Sequence, residues 1–120
     1  MQLTQAELGV EYMIWIPCEA VSDAIDAHIG EIVSITGRMT ETPVTGVWIN
    51  SAGETVQEDL HALSFISNNA AVSVIVKAMA KVLLEEGQEE VLISMGGTVF
   101  VIRGEIDEAN SHINFSWRRY

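Results

Sequence analysis

Cysteine, proline and positive charge are all scarce in this chain, and each shortage narrows the possibilities. One cysteine among 120 residues, Cys18, forms no internal disulfide. A reactive thiol needs a base or cation beside it, and nothing near Cys18 in sequence supplies one. Cys18 is therefore read as a small packed residue in a reducing, cytoplasmic setting. Six lysines and arginines stand against seventeen carboxylates, a net charge of −11. That sign argues against nucleic acid as a partner, because basic patches supply most of that affinity. It argues equally against an anionic membrane surface.

Long apolar runs are missing too. Stretches such as Val99 to Ile102 fall far short of a bilayer span. The opening MQLTQAELGVEY has no basic segment followed by an apolar one, so no secretory signal is read. There is no Gly-x-Ser-x-Gly, no Walker-type loop and no cysteine cluster. No metal and no cofactor is expected. Gly96-Gly97 lacks the lysine and following helix of a phosphate loop, and turn chemistry accounts for it.

What is present is the length and apolar content of a single globular domain over residues 1–120. Leu8 to Ile16 alternates as a strand, with Leu8, Val10, Tyr12, Ile14 and Ile16 on one face and Glu11, Met13 and Trp15 on the other. Pro17 ends it. A helical stripe follows through Ala24, Ile25, Ile29, Ile32, Val33 and Thr36, capped at Ser22 or Asp23 and stopped by Gly37. The β-branched run at its end competes as a short strand.

The segment Pro43 to Ser67 reads as two strands joined by the polar turn Asn50-Ser51-Ala52-Gly53. A clean amphipathic helix follows on Ala71, Val72, Ile75, Ala78, Met79, Val82 and Leu83. Val91 to Met95 and Thr98 to Ile102 flank Gly96-Gly97, either as a hairpin or as one strand with a bulge. His112 to Trp117 alternates and reads as an added edge strand.

Strand, helix, strand, strand, helix, strand is the split β-α-β order. The expected fold class is therefore α+β, ferredoxin-like (βαββαβ), with an antiparallel sheet and two helices on one face. The first and third strands are expected at the centre, the second and fourth at the edges. The residues Gly46, Trp48, Gly53, Glu58, Asp59 and Leu63 add a pattern of their own. A Gly-x-Trp strand runs through a glycine turn into an acidic, then aliphatic strand. In this, Tyr12 to Ile102 resembles a group of small uncharacterised bacterial ferredoxin-like α+β domains. That resemblance implies no activity.

On the third strand the even set, Val56 to Ile66, looks more core-like than the odd set. The open sheet face is then expected to carry Met13, Trp15, Leu63 and Phe65 beside Glu11, Asp59 and His61. Such a patch is expected to bind something: a second copy of the chain, a protein or a small ligand. Asp59 and His61, two apart on a strand, point the same way and form a candidate acid–base pair. Trp48, Arg103 and Arg118 complete the candidates, an arginine beside aromatics being suited to a small anionic ligand.

With no catalytic set completed, the sequence reading is a non-catalytic, homo-oligomeric, cytoplasmic binding module. Two alternatives stay open. One is a small acidic inhibitor of phage or mobile-element origin that binds a protein or sequesters a nucleotide signal. The other is a dimeric α+β-barrel enzyme using His61 with Asp59.

Overall fold

The computed structural model describes the backbone of residues 1–107 and 112–119 and the side chains of residues 1–103. β1 (Val10–Pro17) runs into a 3₁₀ turn (Cys18–Ala20) and then α1 (Asp23–Thr36). β2 (Thr40–Ile49) and β3 (Thr55–Ser67) form a hairpin, and α2 (Ala70–Glu85) follows. β4 (Glu90–Met95), β5 (Thr98–Asp107) and β6 (His112–Arg119) complete a six-stranded sheet in the order β2-β3-β1-β4-β5-β6. Every pairing is antiparallel.

The first four strands take the ferredoxin-like order, so the α+β expectation holds. One detail differs: β4 is not an edge. Gly96 and Gly97, both at positive φ (61° and 83°), turn the chain straight back so that β5 pairs with β4. The Gly-Gly step is thus a hairpin and not a bulge, and β6 becomes the far edge.

Local chemistry explains the element ends. The Ser22 side chain accepts a hydrogen bond from the Ile25 amide and starts α1. Gly37, left-handed at φ 79°, closes it with its amide on the Val33 carbonyl. The β-branched end stays helical because Ser34 and Thr36 donate their hydroxyls to the Glu31 and Ile32 carbonyls. Asn69 caps α2 through Ala71. At the β2–β3 turn the Asn50 side chain accepts from the amides of both Ala52 and Glu54.

One core lies between the sheet and the two helices. Ile14, Ile16, Leu63, Phe65, Ile93 and Ile102 meet Ile25 and Ile32 of α1 and Val72, Val76, Met79 and Leu83 of α2. The α2 stripe is broader than the expected one: Val76, Ala80 and Leu84 are also buried. On α1 only Ile25 and Ile32 are fully buried, while Val33 sits at the surface.

Register decides which strand residues reach this core, and it corrects the expected open face. Tyr12 lies opposite Phe65, Ile14 opposite Leu63 and Ile16 opposite His61. Directly paired residues share a face, so the odd set of β3 points with Tyr12 and Ile14 toward the helices. Leu63 and Phe65 are each 2% exposed and belong to the core, not to an open patch. Burying each contributes about 1.5–3 kcal/mol, and the Tyr12 and Phe65 rings stack 5.6 Å apart. The open face instead carries the even set: Val56, Glu58, Leu60, Ala62, Ser64 and Ile66, alongside Glu11, Met13 and Trp15.

Gly9 marks where the leading segment meets the end of β3. Its φ is +115°, and a Cβ there would sit 2.4 Å from the Ser67 and Asn68 backbone. Strain and a backbone clash combine at this point. Gly9→Ala is expected to lower the unfolding free energy by about 2–4 kcal/mol in urea titrations.

Candidate functional site

β3 is longer than its neighbour β1. β1 stops at Pro17, opposite Leu60, but β2 and β3 stay paired as far as Ile49 opposite Thr55. Residues 45–49 and 55–59 therefore project as a two-stranded ribbon past the end of the central strand. The 3₁₀ turn leaves β1 at the same place. Between that turn and the ribbon lies an open pocket of about 400 Å³ lined by Cys18, Pro43, Val44, Thr45, Asp59 and Leu60. Its size is within the range of small-molecule sites.

The lining combines apolar surface from Val44, Leu60 and Pro43 with polar groups from Thr45 and Asp59, which face each other across the strand pair. On the open face Leu60 and Trp48 flank Gly46. A Cβ on Gly46 would come within 2.8 Å of Leu60 and 3.5 Å of the Trp48 ring. Gly46 thus lets these two side chains close over the strand, and Trp48 remains 41% exposed on the ribbon.

Glu58 lies opposite Gly46 on the same face. Burial holds its carboxyl above the usual glutamate value, and Glu19 of the 3₁₀ turn adds to this by its charge and by a side-chain hydrogen bond. The carboxyl groups of two different elements thus influence each other beside the pocket. Nothing in the local sequence pattern joins Glu19 to Glu58. Only the projection of β3 past β1 brings the turn onto the strand.

The sequence-derived candidates separate into four groups. Trp48 and Asp59 are at or beside the pocket. Glu11, Met13 and Trp15 are on the open face of β1, farther along the sheet. His61 is on the helix-covered face, where its Nδ1 lies 2.6 Å from Glu41 Oε1 without hydrogen-bond alignment. It therefore turns to Glu41 and not to Asp59, and Glu11, on the opposite face, does not join them. The expected acid–base pair is not assembled. Leu63 and Phe65 are core.

Arg103 is drawn to its cross-strand neighbour Glu90, with Nη2 2.5 Å from Oε1. Its charge is thus largely spoken for. Arg118 lies in register opposite Val101. Its side chain, with those of Ile113, Phe115 and Trp117, is outside the described residues. Among the described residues no three His, Cys, Asp or Glu side chains gather as a metal site. No helix among them is long and apolar enough to cross a membrane.

No family model and no curated protein matches the sequence. Two solved structures share its fold along the whole chain. Both are of a phage SAM lyase. The apo state is 14% identical with a TM-score of 0.55, covering all of this chain and 96% of that one. The complex with S-methyl-5′-thioadenosine is 13% identical with a TM-score of 0.52 and the same coverage. The expectation of a non-catalytic binding module is corrected at this point, because the architecture it was drawn from is that of an enzyme in these structures.

The raised Glu58 carboxyl has a consequence for stability. Because Glu58 binds its proton more tightly in the fold than in the unfolded chain, its contribution is fully present below the ordinary value of 4.5. It is lost as pH rises through the raised folded value. Compared with Glu58→Gln, the protein is expected to lose stability as pH rises above that point and to run parallel to the variant at higher pH. Paired thermal melts across pH check this. The difference is small, since Glu58 is only half-buried.

Proposed function

We propose that this chain is a lyase acting on S-adenosylmethionine and releasing S-methyl-5′-thioadenosine. The observation that carries the reading is the full-length likeness to a phage SAM lyase, one of whose structures holds that thioether nucleoside. The pocket beside the ribbon supports it with a carboxylate, a hydroxyl and apolar walls at a size suited to a nucleoside. The charge of −11 supports it as well, since a sulfonium substrate is cationic and an acidic protein gathers cations.

The chemistry also accounts for the missing catalytic motif. Forming the thioether requires breaking the bond between the sulfonium sulfur and the γ-carbon of the amino-acid chain. The substrate's own carboxylate can attack that carbon, closing a five-membered lactone as the sulfur leaves with the bonding electrons. One C–O bond forms, one C–S bond breaks, and no external acid, base, water or oxidant enters. A positive and a negative centre cancel, so a site that excludes water favours the step. The chain's own work is to bind and to orient. In this reading Asp59 accepts hydrogen bonds from the ribose hydroxyls. Leu60 and Val44 pack on the nucleoside, and the Trp48 ring meets the sulfonium by cation–π attraction.

Incubation with S-adenosylmethionine, followed by chromatography for the thioether and the lactone or its hydrolysed acid, tests this. Turnover beyond one equivalent is expected. Asp59→Asn is expected to weaken the apparent affinity about tenfold or more, as for loss of a charged hydrogen bond. Uptake of one equivalent without product would favour the nucleotide-sequestering alternative. No binding and no turnover would sink the lyase reading.

We also propose that the protein works as a homo-oligomer in the cytoplasm. Val47, Trp48 and Ile49 on the projecting ribbon are 60%, 41% and 71% exposed, and apolar surface of this kind is usually covered by a partner. The unpaired cysteine suits a reducing compartment. Sedimentation at micromolar concentration is expected to give a particle larger than the monomer, and a strictly monomeric species would remove the oligomer from the reading.

A further inference from the structure

Gly46 sits inside β2, in register opposite Glu58, and its φ is not positive. Any residue can take up such a backbone, and a glycine inside a strand weakens it. Conformational freedom is therefore not what this position uses. It uses space. A Cβ there would lie 2.8 Å from Leu60 Cδ1, 3.7 Å from Leu60 Cγ and 3.5 Å from Trp48 Cζ3. The two longer distances are ordinary contacts, so the methyl of an alanine would displace the end of the Leu60 side chain and nothing else.

We propose that Gly46 is a positioning residue for the pocket: it provides the notch that seats the Leu60 side chain and so keeps the space between Leu60 and Cys18 open to a ligand. Leu60 lines that space together with Cys18, Val44 and Asp59. Val44 stands directly opposite Leu60 on β2, and Pro17 on β1. With its place over Gly46 filled, Leu60 turns to another staggered rotamer, and the unfilled volume beside it is the pocket.

The end of a leucine side chain is flexible and Leu60 is only half-buried, so the fold tolerates the alanine while the pocket narrows. That the space receives a nucleoside rests on the lyase reading. That Gly46 keeps it open does not. Cys18 separates the two. It is the one cysteine of the chain, it is exposed, and it lines the same space. Its rate of alkylation reports how open that space is with no ligand present.

Alkylation of Cys18 by N-ethylmaleimide, followed by mass spectrometry at one pH, tests the proposal in the unmodified protein, Gly46→Ala, Leu60→Ala and the double variant. None of these substitutions changes a charge, so the rates compare access to the thiol. Gly46→Ala is expected to react at least about threefold more slowly than the unmodified protein, whereas Leu60→Ala and the double variant react alike and no more slowly than it. Calorimetric titration with S-methyl-5′-thioadenosine is expected to follow the same pattern. Adding Gly46→Ala weakens binding at least about tenfold when Leu60 is present, and less than about twofold when residue 60 is alanine. A change by the same factor in both backgrounds overturns the proposal, as does an unchanged alkylation rate or an unchanged affinity in Gly46→Ala. The expected alkylation pattern in a protein whose unmodified form binds no thioadenosine supports the role of Gly46 and removes the lyase reading alone.

Discussion

The register of β1 against β3 is the constraint on which the rest of this molecule depends. Pairing Tyr12 with Phe65 and Ile14 with Leu63 puts the large apolar side chains of both central strands on one face. Both helices then have a continuous surface to cover. A slip of one residue would turn Leu63 and Phe65 to solvent and bring Ser64 and Ile66 inward. The stacked Tyr12 and Phe65 rings, and the glycine that lets the leading segment cross the end of β3, both reinforce the observed pairing.

Much of the architecture was legible in the residue pattern. The signals at Ser22 and Gly37 and the turn at Asn50–Gly53 announce where the chain changes direction, whereas Gly96-Gly97 fits a hairpin and a bulge equally in sequence and is settled only by the pairing of β4 with β5. The order of elements then leaves few antiparallel arrangements. The faces of β3 were not legible, and the reason lies in its length. Residues 61–67 pack in the body of the sheet, where the odd positions are core. Residues 55–59 form a ribbon outside it, and apolar Val56 in the ribbon and Leu60 at its base sit on the even positions. An alternation summed over the whole strand mixes two environments, and the ribbon tips the balance to the wrong set.

The same mixing hid the candidate site. Asp59 and His61 share a face, but the pocket ends between them: Asp59 lines it with Thr45, whereas His61 is turned to Glu41. The carboxyl pair of Glu19 and Glu58 was beyond any local pattern, since it joins a turn to a strand position far along the chain. Trp48 and Gly46 did carry a readable signal, a glycine two places before a tryptophan on an exposed ribbon. Under the proposed lyase reading a missing motif does not mean missing chemistry: a reaction in which the substrate brings its own nucleophile and leaving group asks the protein for shape, charge and dryness. None of these leaves a short signature in sequence.

The central position of the first strand also governs how the chain assembles. β1 emerges from the ribosome before either of its neighbours exists: Ile14 waits for Leu63 on one side and for Ile93 on the other. The β2–β3 and β4–β5 hairpins can form from local contacts, but neither can seat its apolar face until β1 inserts between β3 and β4. Pairings so distant in sequence slow folding and prolong the time that strand edges stay open. A nascent chain of this design therefore spends most of its synthesis with its most apolar strand unsatisfied, and its yield will depend more on protection during translation than on the stability of the finished sheet.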